Sequence, residues 1–86
     1  MSRDHINQVY WDSRRGMLEL DILLMPFAKE GYPELSPEDQ VVYRELLAEE
    51  DQDLFSWFMQ RSKAPDKLHA MVEAILLFND PAVLSQ

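Results

Sequence analysis

The sequence predicts an all-α protein, a small bundle of five short helices, and three observations carry that prediction. Apolar residues recur three and four apart in five separate stretches, as one buried face of a helix requires. No stretch alternates apolar and polar residues with the period of two that marks a half-buried strand. Glycine and proline stand where helices begin and end: Gly16, Gly31-Tyr32-Pro33, Ser36-Pro37 and Asn79-Asp80-Pro81.

The first helix is expected from Asp4, a candidate N-cap, to Arg14. Ile6, Val9, Tyr10 and Ser13 would share one face, with Trp11 turned away from it. Arginines in its last turn suit the helix dipole, and Gly16 fits a left-handed residue after the C-terminus. The second helix is expected from Met17 to Glu30. It is apolar on nearly all sides and therefore predicted to be central, with a kink at Pro26, whose ring removes an amide donor. Gly31 and Pro33 stop it, leaving Tyr32 to Leu35 as a loop. Ser36-Pro37-Glu38-Asp39 starts the third helix, with serine as cap, proline in the first turn and two acids at the positive end. Val42, Tyr43, Leu46 and Leu47 would be its core face. The acidic stretch from Glu49 to Asp53 interrupts the pattern, and Asp51 is placed to cap a fourth helix carrying Leu54, Phe55 and Phe58, with Trp57 and Met59 on its borders. After a turn from Ser62 to Pro65, the fifth helix shows the stripe Leu68, Met71, Val72, Ile75 and Leu76. Asn79-Asp80-Pro81 ends it, and residues 80–86 are expected to fray.

Eighty-six residues suffice for one domain, expected over 1–86, and not for two cores. With no cysteine, disulfides, thiolate metal sites and cysteine nucleophiles are excluded. Neither a signal peptide nor an apolar run of roughly 20 residues is visible, so a soluble, cytoplasmic protein is expected. The net charge of −8 is unevenly placed: between Glu30 and Asp53 nine acids face Arg44 alone, whereas residues 1–15 hold three arginines against two acids. An acidic flank with no basic stripe argues against a nucleic-acid partner.

Catalytic chemistry has little to stand on. His5 and His69 lack partners at metal-ligand spacing, so no metal site is expected and His69 reads as a helix-surface or core-edge residue. No serine sits in a nucleophile elbow, and two glycines cannot build a phosphate loop. A bundle this small is also expected to leave little room for a substrate pocket. The expectation is a protein that is not an enzyme, with no catalytic residue and no cofactor of its own.

One cluster stands out. Arg15-Gly16-x-x-Glu19 places two opposite charges and a glycine at the head of the second helix. A structural reading pairs Arg15 with Glu19 beside a helix-ending glycine, for about 0.2–0.5 kcal/mol when exposed. A functional reading has the same ions desolvated by a partner, with Gly16 permitting close backbone approach. Spacing leaves both open. Tyr10 and Trp11 are equally open between core packing and the aromatic anchoring of an interface.

The ordered set Arg14-Arg15-Gly16-Met17-Leu18-Glu19-Leu20-Asp21, Met25-Pro26-Phe27, Leu46-Leu47, Asp51-Gln52-Asp53-Leu54-Phe55-Ser56-Trp57 and Lys63-Ala64-Pro65-Asp66 resembles the SdhE family, in register from Arg3 to Phe78. These are bacterial FAD assembly factors related to the mitochondrial succinate dehydrogenase assembly factor. The resemblance implies a small helical chaperone that binds the flavoprotein subunit of succinate dehydrogenase, and often that of fumarate reductase. It promotes covalent attachment of FAD to a histidine of that client. The FAD belongs to the client, and the factor is expected to act as a monomer. The family motif falls on Arg15, Gly16 and Glu19 as client-binding residues; the reading of the neighbouring residues adds Tyr10, Trp11 and Arg14 as candidates for the interface periphery. The rival implication is an antitoxin, since members have carried the name CptB for a protein countering a toxin of cytoskeletal filaments; the acidic flank would then be the working surface.

Overall fold

Two tyrosines and a set of leucines, all shielded from solvent, mark the centre of the bundle: Tyr32, Tyr43, Leu20, Leu24, Leu46, Leu54 and Leu68. The structure is a computed structural model that describes residues 3–79, without the side chains of Arg3 and Asp4. Its elements are α1 (Arg3–Asp12), α2 (Leu18–Pro26), a π-helical turn (Phe27–Gly31), a 3-10 turn (Tyr32–Glu34), α3 (Pro37–Leu47), α4 (Asp51–Phe58) and α5 (Asp66–Phe78). No strand occurs among the described residues. The five expected helices are present, in the expected order. The expected fraying of 80–86 concerns residues outside those described.

Helix α1 ends two residues earlier than expected. Ser13 is the reason: its amide and its hydroxyl both donate to the carbonyl of Val9, at 3.0 and 2.8 Å, and the hydroxyl also meets the buried Tyr43 phenol at 2.7 Å. A side chain that competes for the backbone in this way stops a helix. Arg14 and Arg15 therefore lie beyond the last turn of the helix, and only Arg15 turns back to it, with Nη1 3.4 Å from the Asp12 carbonyl. Asp4, expected before the helix, lies within it.

After Pro26 the expected kink takes the form of a change of winding. The helix continues, but Tyr32 donates its amide five residues back to Phe27, so one residue is added to the turn. A π turn is one way to absorb a missing donor. It brings the Phe27 ring against Gly31, where a Cβ would lie 2.7 Å from a ring carbon, so only glycine fits. The expected loop from Tyr32 is instead a 3-10 turn, because Tyr32 must stay inside. Its ring packs 5.4 Å from that of Tyr43, and Phe27 lies 5.3 Å from the same ring.

Ser36 caps α3 as expected, accepting the Asp39 amide at 3.2 Å. Tyr43 and Leu46 are buried and Val42 and Leu47 half-buried. Gln40, not expected inside, is buried and donates to the Tyr32 carbonyl at 3.1 Å. α4 ends with Gln60 in the left-handed region at φ 60°, its neighbour Arg61 donating back to Ser56 at 2.8 Å, the pattern that glycine usually serves. In α5 the predicted stripe is buried at Leu68, Met71, Val72 and Ile75, and Pro65 stands one residue before the helix as its cap. α5 packs against α2, α3, α4 and the π turn.

Candidate functional site

The segment joining α1 to α2 is held from three sides. Ser13 ties it to α3 through Tyr43. The Arg15 amide donates to the Asp21 carboxylate of α2 at 2.8 Å. The Arg15 guanidinium reaches the connection between α3 and α4: Nε donates to Asp51 at 2.7 Å, Nη1 to the Leu47 carbonyl at 2.8 Å and Nη2 to the Glu49 carbonyl at 3.0 Å. The Leu47 carbonyl closes the negative end of α3, the Glu49 carbonyl lies in the connection, and Asp51 opens α4, so the cation sits where a helix end and a carboxylate converge.

The Arg15–Glu19 ion pair of the structural reading does not form. Arg15 pairs with Asp51, thirty-six residues away, and its side chain is only 17% exposed. Asp51 correspondingly is not the cap of α4. Glu50 holds that position without a side-chain bond, and the Asp51 carboxylate takes the arginine. Glu19 is exposed, and its carboxylate has no hydrogen bond or ion pair among the described residues; the same holds for the exposed Arg14 guanidinium.

Gly16 has φ +83°, the left-handed conformation expected of it, and a Cβ built there would meet nothing within 4 Å. The restriction on this position is therefore backbone shape, with open space outside it. Trp11 is 60% exposed, as its place on the helix predicts, and Tyr10 is half-buried with its ring edge-on to the indole at 5.7 Å.

The expectation that α2, apolar on nearly all sides, is central holds for one of its faces only. Leu20 and Leu24 face the core, while Leu18 is 70% and Ile22 59% exposed. The two pairs lie on opposite sides of a helix whose residues advance by about 100° each. Leu18 and Ile22 escaped the sequence reading because all four leucine-type residues looked equally fit for the core. The signal was present: two apolar pairs at i, i+4, offset by two positions, cannot both face inward.

Elsewhere the expected scarcity of pocket volume is corrected by an open groove of about 470 Å³ between the α4–α5 connection and α5, bordered by Trp57, Lys63, His69 and Leu76. His69 there pairs with Glu73 at 2.9 Å, the first of the two roles, helix surface or core edge, expected of it. No group of three or more acids and histidines among the described residues is placed to hold a metal ion.

Residues 7–79 match the family described as flavinator of succinate dehydrogenase, Sdh5. The FAD assembly factor SdhE of Pseudomonas aeruginosa is 57% identical over 72 residues, covering 83% of this chain and 86% of the relative. That of Pseudomonas putida is 49% identical over 77 residues, covering 88% and 92%. That of Colwellia psychrerythraea is 51% identical over 67 residues, covering 77% and 74%. The matched region contains the whole α1–α2 corner and the α3–α4 connection that Arg15 ties to it. This chain belongs to the Sdh5 family, the flavinators of succinate dehydrogenase.

Proposed function

We propose that this FAD assembly factor binds the flavoprotein subunit of succinate dehydrogenase through the outer face of its α1–α2 corner, with Gly16, Leu18, Glu19 and Ile22 at the centre, Tyr10, Trp11 and Arg14 around them, and Arg15 within the same corner. The carrying observation is the apolar pair Leu18 and Ile22, exposed at 70% and 59% beside an unpaired Glu19. Apolar side chains one turn apart that serve no core, next to an ion with no partner of its own, form the apolar centre and polar edge of a docking patch. Gly16 lets the client's backbone approach without meeting a side chain.

The factor acts by holding its client. It offers no acid, base or redox group for bond formation and binds no FAD of its own, so the client's histidine and flavin form the bond. The factor's part is to keep them near and aligned, which can lower a barrier by several kcal/mol. Release after assembly calls for a modest interface, at or below the usual range of about 1,200–2,000 Å². The factor works as a cytoplasmic monomer, and the fumarate reductase flavoprotein is a second client of the same face.

The test is covalent flavin fluorescence of the denatured client subunit after expression with this protein, without it, and with a Leu18→Ser/Ile22→Ser variant. Flavin loading that needs the factor and falls at least tenfold with the double variant is the expected result. Equal fluorescence with and without the factor rejects the assembly role; full loading with the double variant rejects the docking face.

A further inference from the structure

Among the charged residues of the corner, Arg15 differs from Arg14 and Glu19 in where its donors go. Nε and both terminal nitrogens are engaged by Asp51, Leu47 and Glu49, with a longer 3.4 Å contact to the Asp12 carbonyl, and the backbone amide is engaged by Asp21. These acceptors come from α1, α2, α4 and the end of α3. To reach a client, the guanidinium would have to leave two backbone carbonyls and a carboxylate unpaired in a setting where its side chain is 17% exposed. Its planar fork suits several acceptors at fixed angles, which the point charge of a lysine does not. The acids Glu49, Glu50, Asp51 and Asp53 crowd the same connection, and the arginine is the cation that faces Asp51.

We infer that Arg15 is a positioning residue that does not itself touch the client, and that Asp21 and Asp51 are its partners in that task. Together they fix the Gly16 turn relative to α2 and the α3–α4 connection. Gly16, Leu18 and Glu19 are thereby presented in one arrangement. This inference rests on the docking face proposed above for its effect on client loading, whereas its geometric part concerns the free chain alone.

The experiment pairs amide NMR of the free protein with covalent flavin on the co-expressed client subunit, for Arg15→Lys, Asp51→Ala, the two combined, Asp21→Ala and Glu19→Gln. The expected result is that Arg15→Lys, Asp51→Ala and Asp21→Ala each displace the Gly16 amide resonance while helical circular dichroism is kept. Arg15→Lys lowers flavin loading at least fivefold despite its retained charge, and the combined variant falls no further than Arg15→Lys. Glu19→Gln leaves the Gly16 resonance in place and lowers loading. An unmoved Gly16 resonance in Arg15→Lys overturns the inference, as does full loading in spite of a moved one. A further tenfold loss in the combined variant also overturns it, since the arginine would then act on the client independently of Asp51. Should Arg15→Lys fail to fold, Asp21→Ala decides by the same two readouts. Full loading with both Glu19→Gln and Leu18→Ser/Ile22→Ser rejects the docking face and leaves the Gly16 resonance to decide the geometric part.

Discussion

Helices α2 and α5 are the two most apolar of the chain, yet they dispose of their apolar residues in opposite ways. α5 turns Leu68, Met71, Val72 and Ile75 inward and shows solvent Lys67, Ala70 and Glu73, with Leu77 as a single outward exception. One exposed leucine is ordinary. α2 buries Leu20 and Leu24 and shows solvent a second apolar pair one turn apart. Folding accounts for every residue of the α5 stripe. It leaves Leu18 and Ile22 of α2 without a place in the core, and these are the residues of the proposed docking face.

That contrast can be broken most forcefully at the core. Leu20→Ala on α2 and Leu68→Ala on α5 should each destabilise the protein by about 3 kcal/mol in urea unfolding, because both are fully buried. A much smaller value for Leu20 would mean that α2 is not anchored as α5 is.

Tyr43 offers the next effect. Burial pushes its phenol up to about 12, Tyr32 adding to the rise while the Ser13 hydrogen bond and the Arg15 charge oppose it. An unfolded phenol loses its proton near ~10, so between ~10 and ~12 the unfolded state holds fewer protons than the folded one. The Tyr43 contribution to stability should therefore be level below about pH 10 and fall by about 2–3 kcal/mol as pH rises toward 12. In Tyr43→Phe, pH-dependent unfolding should lose most of that slope.

Arg15 and Glu19 sharpen the comparison within one motif. Arg15→Ala should cost about 2 kcal/mol in chemical denaturation, since carbonyls and a carboxylate lose a donor. Glu19→Ala should change stability by less than about 0.5 kcal/mol. Similar losses at both would place the two residues in one structural role. The smallest effect is expected at Leu18→Ser and Ile22→Ser, within about 0.5 kcal/mol each in urea unfolding, as for surface positions outside the core.

Local signals were legible in the sequence and distant ones were not. The stripe of α5, the Ser36 cap, the outward Trp11 and the left-handed Gly16 each depend on residues within a few positions of one another. Arg15 met Asp51 across thirty-six residues, and Ser13 met Tyr43 across thirty, so neither pairing left a spacing to read. The π turn was hidden for a related reason. Pro26 announces a lost donor, but whether the chain bends or widens there is settled by burial of Phe27 and Tyr32 against Tyr43. Of the proposed site, the motif at the α1–α2 corner was visible in the sequence and its internal division was not. Arg15 and Glu19 looked like a pair, whereas one is held within the protein and the other is exposed.

Asn79, the residue after α5, gives its side-chain amide to the carbonyl of Leu23 at 3.1 Å as well as to Ile75 at 2.8 Å. The last described residue is thus latched to the middle of the helix that carries Leu18 and Ile22. Proteolytic trimming that removes Asn79 would release that latch, so damage at that end of α5 would be felt at the helix of the proposed docking face.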